Sequence, residues 1–520
     1  MKSKKNIVGI GIIVVFLLTL FFQYTYSYDL YKKPPSNLWS KEVKVGNGNT
    51  KTNPIVIKED KRILVAYDDI KRLSISSTDS KGQPISSKNF SVDEEFIKDT
   101  LFVKTNNGYI LGYNSTINSV GYLEKLFLDE ELNLVKRERI EGVNFIYQLD
   151  SNNYVLAYKD KIEIIDSIRD KNQDVKVSDV SMITGSKVNN GFFICFIEGK
   201  DTFKFFTTEG DIVNEPKIAA KLNKSDNVGY GQISCSSDGK KGYIILEEQF
   251  KGEFNGAKGI EFSLDGSDSV VNPVYIGNSK IIRENTGVYS QDGGKFYGVF
   301  GRAFGKKSYQ ENIISFTLKD GKTSDIEYVS RTRETCFSPY VVDDYTAYLS
   351  FSGIDSKDIN IGSTNEEFKQ VNNAPRASER SRALGSAMEG LMYGLAYVFV
   401  YGFKWILPVM LVAGTFAFFD YAYSEKTKLR GFIGLAIFAI AVKTYGIIPV
   451  FYVDYAGLLP EVLSSKLVGV LVCSLIGAIS YAYGYLLYKR DTEDLGILKF
   501  FISLFVDTVL TLVIFVPFIT

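Results

Sequence analysis

The sequence predicts an all-β seven-bladed propeller joined to an α-helical membrane region. Three observations carry this expectation. A short apolar stretch recurs seven times through residues 29–372, the chain beyond residue 387 is mostly apolar, and an apolar run follows three lysines at the N-terminus. At 520 residues the chain is too long for one ordinary domain.

The N-terminal element comes first. Lys2, Lys4 and Lys5 precede the run NIVGIGIIVVFLLTLFF (6–22), the pattern of a signal peptide or an uncleaved anchor. No Ala-x-Ala cleavage site follows, and the flank is rich in tyrosine, so an anchor over 7–26 is the better reading. Residues 1–6 then stay in the cytoplasm and the chain from 29 onward leaves it.

The repeat comes next. The stretches ILVAY (63–67), YILGY (109–113), YVLAY (154–158), FFICF (192–196), YIILE (243–247), FYGVF (296–300) and AYLSF (347–351) begin 46, 45, 38, 51, 53 and 51 residues apart. Turn signals such as NNG, SNN and SQDGGK precede them, and further strand-like runs such as IEIID and FKFFTT follow. About four short strands per unit at a period near 45–50 is the signature of a propeller. Each copy reads as an inner blade strand buried on both faces, which explains continuous apolar runs where a half-exposed strand would alternate. The segment SKEVKVG (40–46) can close the ring beside DINIG (358–362). An irregular pair of β-sandwiches is the alternative, and the even spacing disfavours it.

Two of the turns, SSDGKKGYI (236–244) and SQDGGKFYG (290–298), resemble the turn-and-strand motif of WD-type and Tol-like propeller repeats. The resemblance covers two blades and implies the fold alone; the Trp-Asp signature is missing.

A linker at 373–386 leads to the membrane region. Segments 431–453, 466–488 and 497–519 are long enough to span a bilayer. The stretch 387–423 is 37 residues, or about 55 Å as one helix, against a hydrocarbon core of about 30 Å. Two spans turning near Gly402-Phe403-Lys404-Trp405 are one solution. A stem over 387–404 leading into a span near 405–423 agrees better with loop charge. It puts Lys426, Lys428, Arg430, Lys489 and Arg490 inside and Asp454 and Glu461 outside, although Arg376, Arg380 and Arg382 then also lie outside. With the anchor, this makes five spans, four of them a C-terminal four-helix bundle.

Lys443 and Asp507 lie about 18 and 15 Å from the inner ends of their spans, at similar depth. An ionisable group at mid-bilayer faces protein or water, so the two are expected to pair across the bundle. Such a pair either fixes helix register or relays protons or ions. Gly469, Cys473 and Gly477 recur every four residues, and Ser480 and Gly484 continue much the same face, a surface for close helix packing. Tyr421, Tyr423, Tyr481, Tyr483 and Tyr488 read as interfacial belts.

Composition narrows the chemistry. The chain has no histidine, which excludes His-dependent triads, His-ligated zinc and a phosphorelay histidine. Its four cysteines form no CxxC pair; at most one disulfide can form among Cys195, Cys235 and Cys336. Lys+Arg and Asp+Glu balance at 60 each, leaving no basic field for nucleic acid. The acidic clusters at 93–95, 129–131, 264–269 and 342–344 offer carboxylates but read as exposed turns, and GRAFGKK (301–307) lacks the spacing of a phosphate loop. No catalytic residue, metal site or cofactor is assigned.

The expected function is a non-enzymatic recognition or scaffold subunit on the cell membrane. Its propeller lies outside the cytoplasm and binds a protein or a cell-envelope glycan. A carboxylate-dependent glycan hydrolase or lyase is one alternative, and a transporter or signal-transducing subunit centred on the bundle is another. A chain rich in Lys, Ile and Asn and devoid of His suggests an AT-rich bacterial genome.

Overall fold

A computed structural model describes residues 2–92, 97–118, 120–222, 227–276, 283–288, 290–301, 311–332, 334–418, 424–455, 459–490 and 496–518. They form two compact units: one holds the described residues from Pro34 to Ala374, the other those up to Lys33 and from Pro375 onward.

The first unit is a seven-bladed propeller. Its strands make seven antiparallel sheets, six of them successive in the chain and four-stranded except the fourth, which has five strands. The innermost strands are Ile55–Lys58, Asp99–Thr105, Phe145–Gln148, Val180–Val188, Val228–Ser237, Arg283–Val288 and Cys336–Val342. Each touches the next, and the last touches the first, which closes a ring.

The seven repeated stretches fall on the second strand of the seven blades: Arg62–Asp69, Gly108–Ile117, Asn153–Ala157, Gly191–Glu198, Lys241–Phe250, Gly294–Phe300 and Tyr345–Phe351. Their apolar continuity follows from having a neighbouring blade on each side. In the first blade Leu64 and Ala66 pack toward Phe102 and Tyr109 of the second, while Ile63, Val65 and Tyr67 pack toward Leu349 and Ile361 of the last. The same division holds at the other joints, giving one apolar core between each pair of blades.

Ring closure uses the first strand of the chain. Val43–Gly48 pairs antiparallel with Lys357–Ser363, with Val43 opposite Ile361 and Gly48 opposite Lys357. Gly46 is needed there, since a Cβ would stand 2.5 Å from the Tyr67 hydroxyl. Trp39 is buried against Tyr297, and a short helix (Glu366–Asn372) drives Phe368 into the joint between the last and first blades.

The second unit is helical: α1 (Lys2–Tyr31), α2 (Ala377–Tyr397), α3 (Phe403–Phe418), α4 (Glu425–Pro449), α5 (Lys466–Arg490) and α6 (Gly496–Phe515). Among the described residues, five helical stretches are long and apolar enough to cross a membrane, Ile13–Tyr31, Ala377–Phe416, Lys426–Val453, Lys466–Lys489 and Ile497–Phe518. The N-terminal helix belongs to the same packed group as the others. Phe22 and Tyr26 meet Phe518, Gln23 donates to the Val513 carbonyl, and the Tyr31 and Ser386 hydroxyls are 2.7 Å apart.

One sequence expectation changes here. The linker drawn at 373–386 is helical from Ala377, with the Glu379 carboxylate accepting from the Arg376 N–H at the start of α2. The stem expected over 387–404 and the start of the span expected near 405–423 are continuous helix. α2 runs through a π turn, Val398–Gly402, straight into α3, so 377–416 is one 40-residue stretch; residues 419–423 lie outside the description. A row of glycines brings this stretch close to the C-terminal segment: Gly390 packs on Pro517, Gly394 on Val513 and Gly402 on Thr508.

Candidate functional site

In the propeller, the ring of innermost strands leaves a cavity of about 460 Å³ at the end where those strands begin. All seven contribute, through Ile55, Thr100, Gln148, Ser181, Gln232, Asn285 and Tyr340 among others, joined by the loop Lys51–Asn53. Asp68 sets that loop: its Oδ1 accepts from the Thr52 N–H at 2.9 Å and from the Thr52 hydroxyl at 2.6 Å. Gln148 Oε1 accepts from the Phe102 N–H at 2.8 Å, and Gln232 Nε2 donates to the Asn285 carbonyl at 3.2 Å, each bond tying adjacent blades.

Half of the lining residues carry uncharged hydrogen-bonding groups, and most of the others are apolar. Its charged members are Lys51, Lys98 and Asp99. Lys98 Nζ donates to the Asn144 carbonyl at 3.0 Å and stands 3.6 Å from the centre of the Phe145 ring. Burial pulls its pKa down, and burial pushes the Asp99 carboxyl up to about 6, with Lys98 and Asn114 acting against that rise. Burial likewise raises the Tyr147 and Tyr340 hydroxyls. Asn285 is 3 % exposed, and neither atom of its side-chain amide meets a partner among the described residues.

In the helical unit, the two charges singled out in the sequence meet. Lys443 Nζ lies 2.5 Å from Asp507 Oδ1, and it also donates to the Cys473 carbonyl at 2.9 Å and to the Thr511 hydroxyl at 3.2 Å. All three ammonium protons therefore have acceptors. Asp507 Oδ2 has no partner among the described residues, nor have the buried Ser480 and Tyr481 hydroxyls. Trp405 Nε1 donates to Thr508 at 3.1 Å one residue along.

The small-residue face of α5 packs inward. A Cβ on Gly469 would meet Tyr452, one on Gly477 would meet Ile440, and one on Gly484 would meet Ser503; Cys473 is buried. Tyr481 and Tyr488, assigned to an interfacial belt, instead lie in the helix core with Phe432 and Phe500, where ring stacking holds them. Tyr421 and Tyr423 lie outside the described residues.

Among the described residues, the acidic clusters have local partners. Asp129 caps its own turn by accepting from the Asn133 N–H at 2.7 Å, Asp265 does the same for Ser267, and Asp344 lies 3.7 Å from Lys58; 93–95 are outside the description. Among the described residues no group of three or more His, Cys, Asp or Glu side chains could hold a metal ion. The four thiols are free and buried, so the possible disulfide is not formed. Burial raises the Cys195 thiol well above its ordinary value, with the Cys235 thiol beside it adding to the rise.

Sequence reading missed the cavity residues and the α2–α6 glycine row. The row had a signal, Gly390 and Gly394 at a spacing of four, overshadowed by that of Gly469 and Gly477. The cavity had none, since Thr100, Asn285 and Tyr340 start or line strands far apart in the chain.

The fold and cavity define a seven-bladed propeller with a polar, closed-ring channel mouth and a separate apolar helical unit. No family model and no curated protein matches the chain. Among solved structures it is similar to a catalytically inactive virginiamycin B lyase from Staphylococcus aureus with quinupristin, at 11 % identity and TM-score 0.38, over 62 % of this chain and 99 % of that one. It is also similar to a chain of a mitotic checkpoint complex, at 8 % identity and TM-score 0.33, over 61 % of this chain and 93 % of that one. Likeness at this level carries no function, and the propeller assignment rests on the seven sheets themselves.

Proposed function

We propose that the protein is a non-enzymatic recognition subunit of the cell membrane, with its propeller outside the cytoplasm binding a protein or cell-envelope polymer at the channel mouth. The observation that carries this reading is the lining of the cavity. It is framed by seven strands and rich in amides and hydroxyls, and Asp99 is the one carboxylate among its described lining residues. Glycoside cleavage ordinarily uses two carboxylates about 5–10 Å apart. The five apolar stretches support a multi-pass anchor, and Lys426, Lys428, Arg430 and Lys489 support the cytoplasmic side at their ends.

Crosslinking in native membranes, followed by purification of the full-length protein and mass spectrometry, tests it. The expected result is a stoichiometric partner or a bound envelope polymer. A clean protein that turns over an envelope glycan would replace this reading with the enzymatic one.

A second reading, a transducing or transporting role for the helices, is favoured by one observation, the Lys443–Asp507 pair with its unpartnered carboxylate oxygen. Replacing both residues by apolar ones separates the two. Retained partner binding and retained cellular activity would make the pair structural.

A further inference from the structure

We propose that Lys404 marks a docking face inside the membrane for a partner's transmembrane helix that carries an Asp or Glu side chain at mid-bilayer, an inference that rests on the multi-pass reading above. The depth of Lys404 follows from its neighbours. Gly402, two residues before it, packs on Thr508, and the indole of Trp405, the next residue, donates to the Thr508 hydroxyl at 3.1 Å. Thr508 is eleven residues from Ile497 and ten from Phe518, the ends of the last apolar stretch, so it lies about 15 Å from either end. Half of a hydrocarbon core of about 30 Å is the same distance. Lys404 therefore stands near the middle of the core, too deep for its four-carbon stem to carry the ammonium to a headgroup.

The face that carries it is turned away from the other helices. Gly402, Trp405, Val409 and Ala413 are buried on one side of the stretch, whereas Val400, Lys404, Leu407 and Leu411 are exposed on the other. Among the described residues the ammonium meets the Tyr401 ring, 4.9 Å to its centre, and no carboxylate or hydrogen-bond acceptor. An aromatic face attracts a cation but leaves its charge uncancelled. An ionisable group at this depth is costly and ordinarily pairs with another or faces water.

Charge complementarity selects the occupant. The counter-charge must be a carboxylate at the same depth, and among the described residues this chain has none to offer. Asp507 lies beside Thr508, but it is enclosed with Lys443 at 0 % exposure. Glu389 is fifteen residues earlier on the same stretch, about 22 Å away. A second copy would bring another lysine to that level, like charge against like. The partner that fits is a different membrane protein, with an apolar helix lying along Val400, Leu407 and Leu411 and an acidic side chain opposite Lys404.

Photocrosslinking of the full-length protein in native membranes tests the assignment. A benzophenone amino acid replaces Val400, Leu407 or Leu411 on the proposed face, or Leu475, 62 % exposed on α5, as comparison. The expected result is an adduct from the proposed face, and none from position 475, with a membrane protein whose helix carries a mid-span Asp or Glu. Lys404→Met should reduce that adduct about tenfold or more and Lys404→Arg should keep it. Lys404→Glu should lose it until the partner's acidic residue is changed to Lys. Thermal melts identify any variant that fails to fold; Lys404→Met, which removes the charge, should melt no lower than wild type.

Lys404→Cys reports the depth separately, since the native thiols are buried. In sonicated membranes, open to reagent on both faces, it should resist a charged maleimide that labels Ile70→Cys, 60 % exposed in the propeller. Labelling at 404 in protein that stays in carbonate-washed membranes overturns the site while the multi-pass reading stands. Release of the protein by carbonate overturns both. An adduct that is indifferent to Lys404→Met, one with a second copy or with lipid alone, or no adduct from any of the three positions overturns the proposed partner.

Discussion

Lys443 Nζ and Asp507 Oδ1 are 2.5 Å apart with both side chains at 0 % exposure, on helices α4 and α6. Two opposite charges enclosed together are stable only as a pair, so either one alone is a liability. Lys443→Met or Asp507→Leu alone is expected to cost about 3–5 kcal/mol, and the double change is expected to recover most of it. Thermal melts of the detergent-purified variants check this. A double variant no better than either single one would show that the two charges act independently. The charge-reversed pair, Lys443→Asp with Asp507→Lys, is the stricter form of the same test.

Glu247, on the second strand of the fifth blade, has its carboxyl pushed up to about 7 by burial. The Glu284 N–H opposes the rise, the Glu284 carboxylate adds to it, and Arg283 opposes it. The folded state therefore keeps a proton that the unfolded chain gives up between about pH 4.5 and about pH 7. Stability should fall as pH rises through that window, by at most about 3 kcal/mol, and stay level above it. Glu247→Gln should flatten this dependence and melt higher than wild type above pH 7. Asp99 acts in the same direction, so the readout is the difference between the two proteins. Parallel pH profiles would sink the assignment.

Phe368 is fully buried between the last and first blades, edge-on to Tyr345 and against Gly82. Phe368→Ala should cost about 3–5 kcal/mol, the usual price of a large cavity. Because Val43–Gly48 closes the ring at the same joint, the loss should show as increased proteolysis of the N-terminal strand. A variant as protease-resistant as wild type would show that the helix is not part of the closure.

Asn285 offers a test of stability. Its buried amide has no partner among the described residues, which is unfavourable by about 1–3 kcal/mol, so Asn285→Leu should melt at or above the wild-type temperature. A marked drop in melting temperature would mean that the amide has a structural partner.

The repeated stretch was legible because its burial is local in cause. Tyr109, Leu111 and Tyr113 face the first blade while Ile110 between them faces the third, and a neighbour on each side requires an unbroken apolar run. The closing strand, expected within 40–46, lies at Val43–Gly48. Tyr481 and Tyr488 misled because their type suits both a membrane interface and an aromatic core, and only packing on Phe432 and Phe500 distinguishes the two. The long helical stretch was legible as a stem running into a span, but its close packing through Gly390, Gly394 and Gly402 depends on partners more than a hundred residues away.

The sequence by itself determined the number of blades, the strand each repeat occupies, the apolar character of the two termini and the two charges set apart within them. These are properties of period, composition and spacing, which act over a few residues at a time. Only the tertiary structure decided which residues share the channel mouth and that the Asn285 amide is buried without a partner among the described residues. It also decided that α1 joins the helices of the C-terminal region. Those relationships join segments tens to hundreds of residues apart through ring closure and helix packing, and no local pattern records them.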